Sequence, residues 1–508
     1  MRLMFKFCIF PLLFAGVVSA SPQGESIYMK GVDLQGRTIS TILNDMTSDV
    51  PLGCVNCHRE SGFGGSESGR TFPPVSWYFL GKNQPENDTS RFYHMQNKRP
   101  AYTAQTLHRV LTTGINSKDQ QVDPLMPRYA LTREQSDQLL EYLKTLFKNE
   151  DDGVDGEVMR IATIVDSRLP PQVKEQHIKF LRGLVSMKNG LTRGELKRKK
   201  FSPIQKVPQY ESYRTWELDV WELPENTADW KTVLSQAYQD KPVFVVVRPL
   251  LLNGYDEVAG FCTNKKLPCL FPSSTDLNAG DFYNFVFRNR AKQVQDYINL
   301  LKRKHADRLL FVNSKGSISA VTQTMKDIPL LENISQSALQ QAYDNYCAED
   351  YVLLAKTEVK QAKILDQLRC QDPSAISIKV ISDEASDYRA ISGYLRDNAE
   401  SRLCWVSDYD HVLKRNSRQI RVNALVRRFD IKEPYDESLA MTLFSFGLVT
   451  DALHKMSGHF SRLYMIEIIE HMLNSFPNYT YFSSVTGAPY QRYIVGPIKE
   501  YCQQGSRI

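Results

Sequence analysis

The chain has 508 residues, 42% of them apolar and 24% charged, a balance that excludes a disordered, collagenous or coiled-coil protein. Its length predicts two to four domains. The 63 basic and 57 acidic residues leave a net charge of +6, too small and too dispersed for a nucleic-acid-binding surface. Nine cysteines are too few for a disulfide scaffold of this length, so a hydrophobic core must carry the stability.

Residues 1–20 read as a cleaved signal peptide. Arg2 and Lys6 make a basic start, Phe7 to Val18 is apolar, and Val18-Ser19-Ala20 is a small-residue cleavage pattern. The apolar run is too short to span about 30 Å of hydrocarbon comfortably, and no stop-transfer sequence follows. Cys8 lies inside that run rather than at the cleavage point, which argues against a lipoprotein. The mature protein is therefore expected in the bacterial periplasm, soluble and without a membrane span.

The rest of the sequence divides in two. Residues 25–147 are rich in Gly, Ser, Pro and Asn and carry two helical patterns. Residues 148–159 open with Lys148-Asn149-Glu150-Asp151-Asp152-Gly153, a polar break that suits a linker. From 160 to 508, short β-branched runs alternate with amphipathic helical segments, the pattern of a parallel α/β sheet.

Cys54-Val55-Asn56-Cys57-His58 is a C-x-x-C-H motif. Two thiols three positions apart can each form a thioether to a porphyrin vinyl group, while the adjacent imidazole reaches the iron. A zinc ribbon would need a second C-x-x-C, and the sequence has none. A redox C-x-x-C belongs at a strand-to-helix junction, whereas this one follows Pro51-Leu52-Gly53 in a loop-rich stretch. One covalent haem c is the expected cofactor, with His58 on the proximal side of the iron.

Met126 is the expected distal ligand. It sits in Pro124-Leu125-Met126-Pro127-Arg128-Tyr129, where two prolines are expected to stiffen an extended loop and leave it few local hydrogen bonds. Thr132-Arg133-Glu134-Gln135 then forms a capping box, followed by a helix with Leu139, Leu143, Leu146 and Phe147 on one face. The rivals for the iron are Met95, His94 and His108. His108 lies mid-helix beside an apolar stripe and reads as a structural or surface histidine.

These parts resemble the class I c-type cytochrome family. The matching residues are CVNCH at 54–58, Phe72-Pro73-Pro74-Val75 after a Gly-rich loop, a helix ending in Thr113-Gly114, LMPRY at 125–129, and a last helix ending near Leu146. The resemblance covers residues 25–147 and implies a small all-α domain with His58 and Met126 on the iron. Gly81–Ser90 then reads as an inserted surface loop. A closed six-coordinate iron suits one-electron transfer with a redox partner protein.

In the larger region, strands are predicted at Arg160–Asp166, Glu217–Leu223, Val243–Val247, Pro268–Phe271, Leu309–Val312, Tyr351–Ala355, Ile376–Ile381 and Leu403–Val406. Helices are predicted around Ile178–Leu184, Trp230–Tyr238 and Phe287–Leu301. Leu267-Pro268-Cys269-Leu270-Phe271-Pro272-Ser273-Ser274-Thr275, then Phe282–Arg288 and Ala488–Tyr493, resemble the type I periplasmic binding proteins, in the branch that takes amino acids and amides. The resemblance implies a two-lobed α/β domain over 160–508, with Ser273, Ser274 and Thr275 facing a cleft at a strand's carboxyl end. The same three residues could instead cap a following helix. No carboxylate matches the family's amine-binding one.

Cys262, Cys269, Cys347, Cys370, Cys404 and Cys502 are an even set in an oxidising compartment, compatible with up to three disulfides. Local bridges Cys262–Cys269 and Cys347–Cys370 leave Cys404–Cys502. His454, His459 and His471 read as surface histidines of a helical hairpin rather than as a copper site. Two functions follow. The first is an electron carrier whose second domain docks a partner or recognises a small molecule. The alternative is a solute-binding or sensory protein in which haem is the accessory. No flavin or nicotinamide fingerprint supports an enzyme acting on a cleft-bound molecule.

Overall fold

The computed structural model describes residues 21–287 apart from breaks at 44–45, 68–69, 84–98, 148–150, 202–212, 275–276 and 278–279. From 309 onward it describes the strands and helices named below, with the short turns that adjoin the helices. The signal segment, Met95, His94, Thr275, Cys347, Cys370, most of the expected Gly81–Ser90 loop and the expected helix at 287–301 lie outside the described residues. Two compact units form. The first holds the described residues through Asp151 together with Met456–Glu467, and the second holds the remainder.

The first unit runs α1 (Pro22–Lys30), β1 (Thr41–Leu43), β2 (Met46–Ser48), α2 (Val55–His58), β3 (Gly65–Glu67), β4 (Arg70–Phe72), α3 (Trp77–Leu80), α4 (Ala104–Thr113), β5 (Arg128–Tyr129) and α5 (Arg133–Leu143). Ser21 caps α1 by accepting from the Gly24 N–H, and Pro22 opens the helix, where its missing N–H costs nothing. Gly24 lets α1 lie directly on α5, because a Cβ there would sit 2.2 Å from the Gln138 carbonyl oxygen. The capping box at Thr132 and Gln135 forms in both directions, and Leu139, Leu143, Leu146 and Phe147 are all buried.

The expected all-α character is corrected. Strands β1, β2 and β5 form a three-stranded sheet in the order β2-β1-β5, with Thr41 opposite Tyr129 and Ile42 opposite Arg128. Pro127 ends the turn before it, and the β-branched pair Thr41-Ile42 favours an extended partner. Phe63, Phe79 and Phe147 make a second core beside the main one.

The second unit opens with β6 (Val158–Asp166), α6 (Pro171–Phe201), β7 (Thr215–Leu223), α7 (Trp230–Asp240), β8 (Val245–Val247), α8 (Tyr255–Asn264), β9 (Cys269–Leu270) and β10 (Asn284–Phe285). These strands form one parallel sheet in the order β10-β9-β8-β6-β7. There follow β11 (Leu309–Asn313), β12 (Leu330–Glu332), β13 (Asp350–Leu354), β14 (Ser377–Ile381), β15 (Arg402–Ser407), α9 (Ser417–Arg428), α10 (Glu437–Lys455), α11 (Arg462–Asn474), β16 (Thr480–Ser483), β17 (Arg492–Val495) and β18 (Lys499–Gln504).

A second sheet has the order β12-β11-β13-β14-β15-β18, parallel except for β15 against β18. Both sheets reverse winding direction after their first two strands, as doubly wound α/β sheets do. Each strand predicted from the sequence is present to within two residues at either end. The expected two α/β lobes are present as these two sheets.

Burial on both faces suits the parallel pairing of the first sheet. The strands of the first sheet are apolar on both faces: Ile161, Ala162, Ile164, Val245, Val246, Val247 and Leu270 are all nearly inaccessible. Trp230, Leu234, Tyr255, Val258 and Phe261 of α7 and α8 pack on Ala162, Ile164, Val246 and Cys269. Residues 153–159 of the expected linker fold back onto β6, with the Asp155 carboxylate accepting from the Glu157 and Val158 N–H groups and Arg160 N–H donating to the Gly153 carbonyl.

The expected Cys262–Cys269 bridge is absent. Both residues are buried thiols, on α8 and β9, and Cys269 lies against the Tyr255 hydroxyl at 3.9 Å. Cys404 and Cys502 are register partners across the antiparallel β15–β18 pair, the backbone placement a cross-strand bridge needs.

His177 of α6 is buried between Thr163 and Thr442, at 3.2 and 3.5 Å. Burial, reinforced by the Arg248 charge, pushes its pKa down to about 3. The unfolded chain protonates near pH 6.5, so this contribution to stability is complete above that pH and is lost as pH falls toward 3. His177→Gln is expected to flatten the loss of unfolding free energy over that window by on the order of a few kcal/mol, read from urea midpoints at stepped pH.

Candidate functional site

The C-x-x-C-H motif is built on one short turn. Cys54 precedes α2, and its carbonyl accepts from the Cys57 and His58 N–H groups, so both thiols and the imidazole are held on a single helical turn. Neither cysteine is in a disulfide; Cys54 is buried and Cys57 half-buried. Burial pushes the Cys54 thiol up to about 12, against the opposing effect of its hydrogen bond with Tyr129. A redox C-x-x-C needs a thiolate near neutral pH, and this environment opposes one.

His58 is 5% exposed, and its Nδ1 lies 2.9 Å from the Pro73 carbonyl oxygen. A carbonyl can only accept, so Nδ1 carries the hydrogen and Nε2 keeps its lone pair. Burial lowers the His58 pKa, and the Pro73 hydrogen bond opposes that, so the ring is neutral at pH 7. A neutral imidazole oriented through one nitrogen is the form a metal takes.

The loop after His58 is closed on itself. Gly64 N–H donates to the His58 carbonyl, Gly62 N–H to Arg59, and Val75 and Ser76 N–H both donate to Gly62. The Tyr28 hydroxyl donates to the Arg59 carbonyl at 2.6 Å. Residues 58–64 and 73–76 thus brace each other around the Pro73 carbonyl.

Met126 is half-buried and packs on the same core as Cys54, Val55 and Tyr129. The expected extended loop is corrected here, because Asp123 organises a turn. Its carbonyl accepts from the Met126 N–H and its side chain from the Leu125 N–H, with Pro124 presetting the second position. His108 Nδ1 lies 2.8 Å from the Ser136 hydroxyl, which gives that ring a structural role. His454 and His471 are exposed as expected, whereas His459 is half-buried. Its ring centre lies 5.2 Å from that of Phe79 and 5.8 Å from that of Tyr78.

This arrangement fits a covalently attached haem. Two thiols on one turn, a neutral imidazole fixed by a carbonyl, and a thioether on the same core supply the attachment and ligand types that such a group needs. Among the described residues no cluster of three or more His, Cys, Asp or Glu could hold a separate metal ion.

A second candidate lies at the carboxyl ends of β6, β8 and β9, where the first sheet changes winding direction. Ser273 extends β9: its N–H donates to the Pro249 carbonyl and its own carbonyl accepts from Leu251 N–H. Ser274 follows, half-buried. The sequence reading missed the charged residues beside them. Arg248 is buried and donates to the Phe271 carbonyl at 2.7 Å. Both Arg248 and Phe271 adopt the left-handed backbone region, at φ 51° and 55°, a strain that accumulates at functional sites. The buried Asp166 carboxylate receives the Arg168 guanidinium and the Leu252 N–H. Burial alone would raise its pKa, but these hydrogen bonds and the Arg168 charge hold it below the usual range. The signal was the Asp-x-Arg directly after the apolar strand Ile161–Val165.

No family model matches the sequence, and no curated protein matches it. The fold is similar to that of a possible leucine/isoleucine/valine-binding protein from Rhodopirellula baltica, at 13% identity and a TM-score of 0.40, over 69% of this chain and 94% of that one. It is also similar to a branched-chain amino acid transporter substrate-binding protein from Streptococcus pneumoniae in complex with isoleucine, at 12% identity and a TM-score of 0.40, over 67% and 100%. A transporter substrate-binding protein from Sphaerobacter thermophilus gives 12% and 0.41, over 69% and 98%. Among the described residues no helix is long and apolar enough to cross a membrane.

Asp166→Ala is expected to destabilise the second unit by about 2–4 kcal/mol, because it removes a buried carboxylate that accepts from the Arg168 guanidinium and the Leu252 N–H. Denaturant unfolding followed by tryptophan fluorescence checks this, Trp221 and Trp230 being buried in that unit.

Proposed function

We propose that the chain is an exported mono-haem c-type cytochrome that transfers single electrons, with an α/β unit that recognises a small solute or docks a redox partner protein. The observation that carries this reading is the His58–Pro73 hydrogen bond beside two unbridged thiols on one turn. Cys54 and Cys57 would hold the haem by thioethers, and His58 Nε2 and the Met126 thioether would ligate its iron. Bound there, the haem supplies a reversible one-electron couple.

The protein's part is positioning. The Pro73 carbonyl fixes the imidazole tautomer and ring plane. The Asp123 turn and Pro127 hold the Met126 thioether with little freedom to lose. Ligands that stay in place through both oxidation states leave no open position for substrate, which suits an electron carrier rather than an enzyme.

Cys54→Ala together with Cys57→Ala is expected to abolish covalently bound haem in protein exported to the periplasm, read by haem staining of denatured protein. Normal haem retention would overturn the assignment. Met126→His should lower the reduction potential and keep a low-spin spectrum, while Met126→Ala should open the iron to carbon monoxide. Survival of the far-red sulfur-to-iron absorption band in Met126→Ala would move the distal assignment to another methionine, Met95 first.

A second reading, a solute-binding or sensory protein with haem as the accessory, is favoured by the strained Arg248 and Phe271 at adjacent strand ends. Ser273, Ser274 and Thr275 would line that site. Leucine and isoleucine, found with some of the similar structures, are the first solutes to try. A rise in Tm of the full-length protein at millimolar solute is expected; an unchanged Tm across amino acids and amides would leave partner docking as the role of this unit.

A further inference from the structure

Ser61, the third residue after His58, is fully buried, and its two hydrogen-bond donors both go to one carboxylate from far downstream. Glu467 Oε1 accepts from the Ser61 N–H at 2.7 Å and Oε2 from the Ser61 hydroxyl at 2.5 Å. The segment that brings Glu467 there belongs to the haem unit throughout. Its Phe460 carbonyl accepts from Asp151 N–H, and Arg462 N–H donates to the Asp151 carboxylate. Tyr464 stacks on Phe63 at 4.3 Å between ring centres and 12° between planes. His459 completes the aromatic box made by Phe63, Tyr78, Phe79 and Phe147.

The carboxylate sits at the head of a short chain of contacts to the imidazole. Glu467 holds Ser61; the neighbouring Gly62 carbonyl holds the Val75 and Ser76 N–H groups; that strip carries the Pro73 carbonyl, which holds His58. Glu467 also acts on Tyr28, whose hydroxyl is bonded to the Arg59 carbonyl. Burial first, then the nearby negative groups including Glu467, raise the Tyr28 pKa well above its ordinary value.

We infer that Glu467 is a positioning residue for the proximal imidazole and that its charge sets the reduction potential of the haem. This rests on the haem reading above. Ferric haem carries one more positive charge than ferrous haem, so a carboxylate held on the buried Ser61 of the proximal loop favours the ferric state. Removing the charge should raise the potential. Removing the clamp as well should also loosen the Pro73–His58 hydrogen bond.

The test uses the full-length exported protein and three variants. Glu467→Gln keeps an oxygen for the Ser61 N–H but loses the charge; its midpoint potential is expected to shift upward with haem content unchanged. Glu467→Ala should shift it upward and also move the iron–histidine stretching band of the ferrous form trapped without its distal ligand. Ser61→Ala keeps the charge and the backbone contact, and its potential should stay closer to wild type than that of Glu467→Gln. If Glu467→Ala does not accumulate, the other two variants still decide. Wild-type potentials in Glu467→Gln, with haem present, would overturn the role of Glu467 and leave the haem reading standing. Wild-type protein without covalent haem would overturn both.

Discussion

The hydrogen bond between the His58 ring and the Pro73 carbonyl ties the first unit to its chemistry. It decides which ring nitrogen carries the hydrogen, and therefore which one keeps its lone pair. Its geometry depends on two loops, 58–64 and 73–76, that bond to each other through the Gly62 carbonyl. Those loops in turn rest on α1 through Tyr28, and α1 rests on α5 through the bare backbone at Gly24. Substituting Gly24 would therefore act on the motif from a distance, since the helix carrying Tyr28 would have to move.

Much of this was legible in the sequence because the signals were local. The C-x-x-C-H spacing, the Thr132–Gln135 capping box and the β-branched strands of the second unit each depend on residues within a few positions of one another. The small β2-β1-β5 sheet was not legible, since its strands are two or three residues long and its β1–β5 pairing joins residues more than eighty positions apart. The Asp123 turn was hidden by the prolines, which suggested an extended loop until the aspartate side chain was seen capping it. Ser61–Glu467 spans most of the chain, a distance at which no periodicity or motif gives a signal.

The second unit shows the same division between local and distant information. In its first sheet, burial on both faces suits parallel strands joined by crossover helices. Its candidate site does not follow from those rules. Ser273 and Ser274 were expected at a strand's carboxyl end and lie there, but the charged groups around them, Arg248, Asp166 and Arg168, come from neighbouring strands that only the fold brings together. The two adjacent left-handed residues, Arg248 and Phe271, mark this edge of the sheet as the place where the backbone departs from its easiest path.

In the proposed function Cys54 and Cys57 hold one haem by thioethers and His58 ligates its iron. Intact-mass measurement of the signal-cleaved periplasmic protein, denatured and fully reduced, tests it directly. The expected result is the polypeptide mass increased by that of a single haem, with the increment located by peptide mapping to the fragment containing Cys54–His58. An unmodified polypeptide mass with both Cys54 and Cys57 available for alkylation would contradict it.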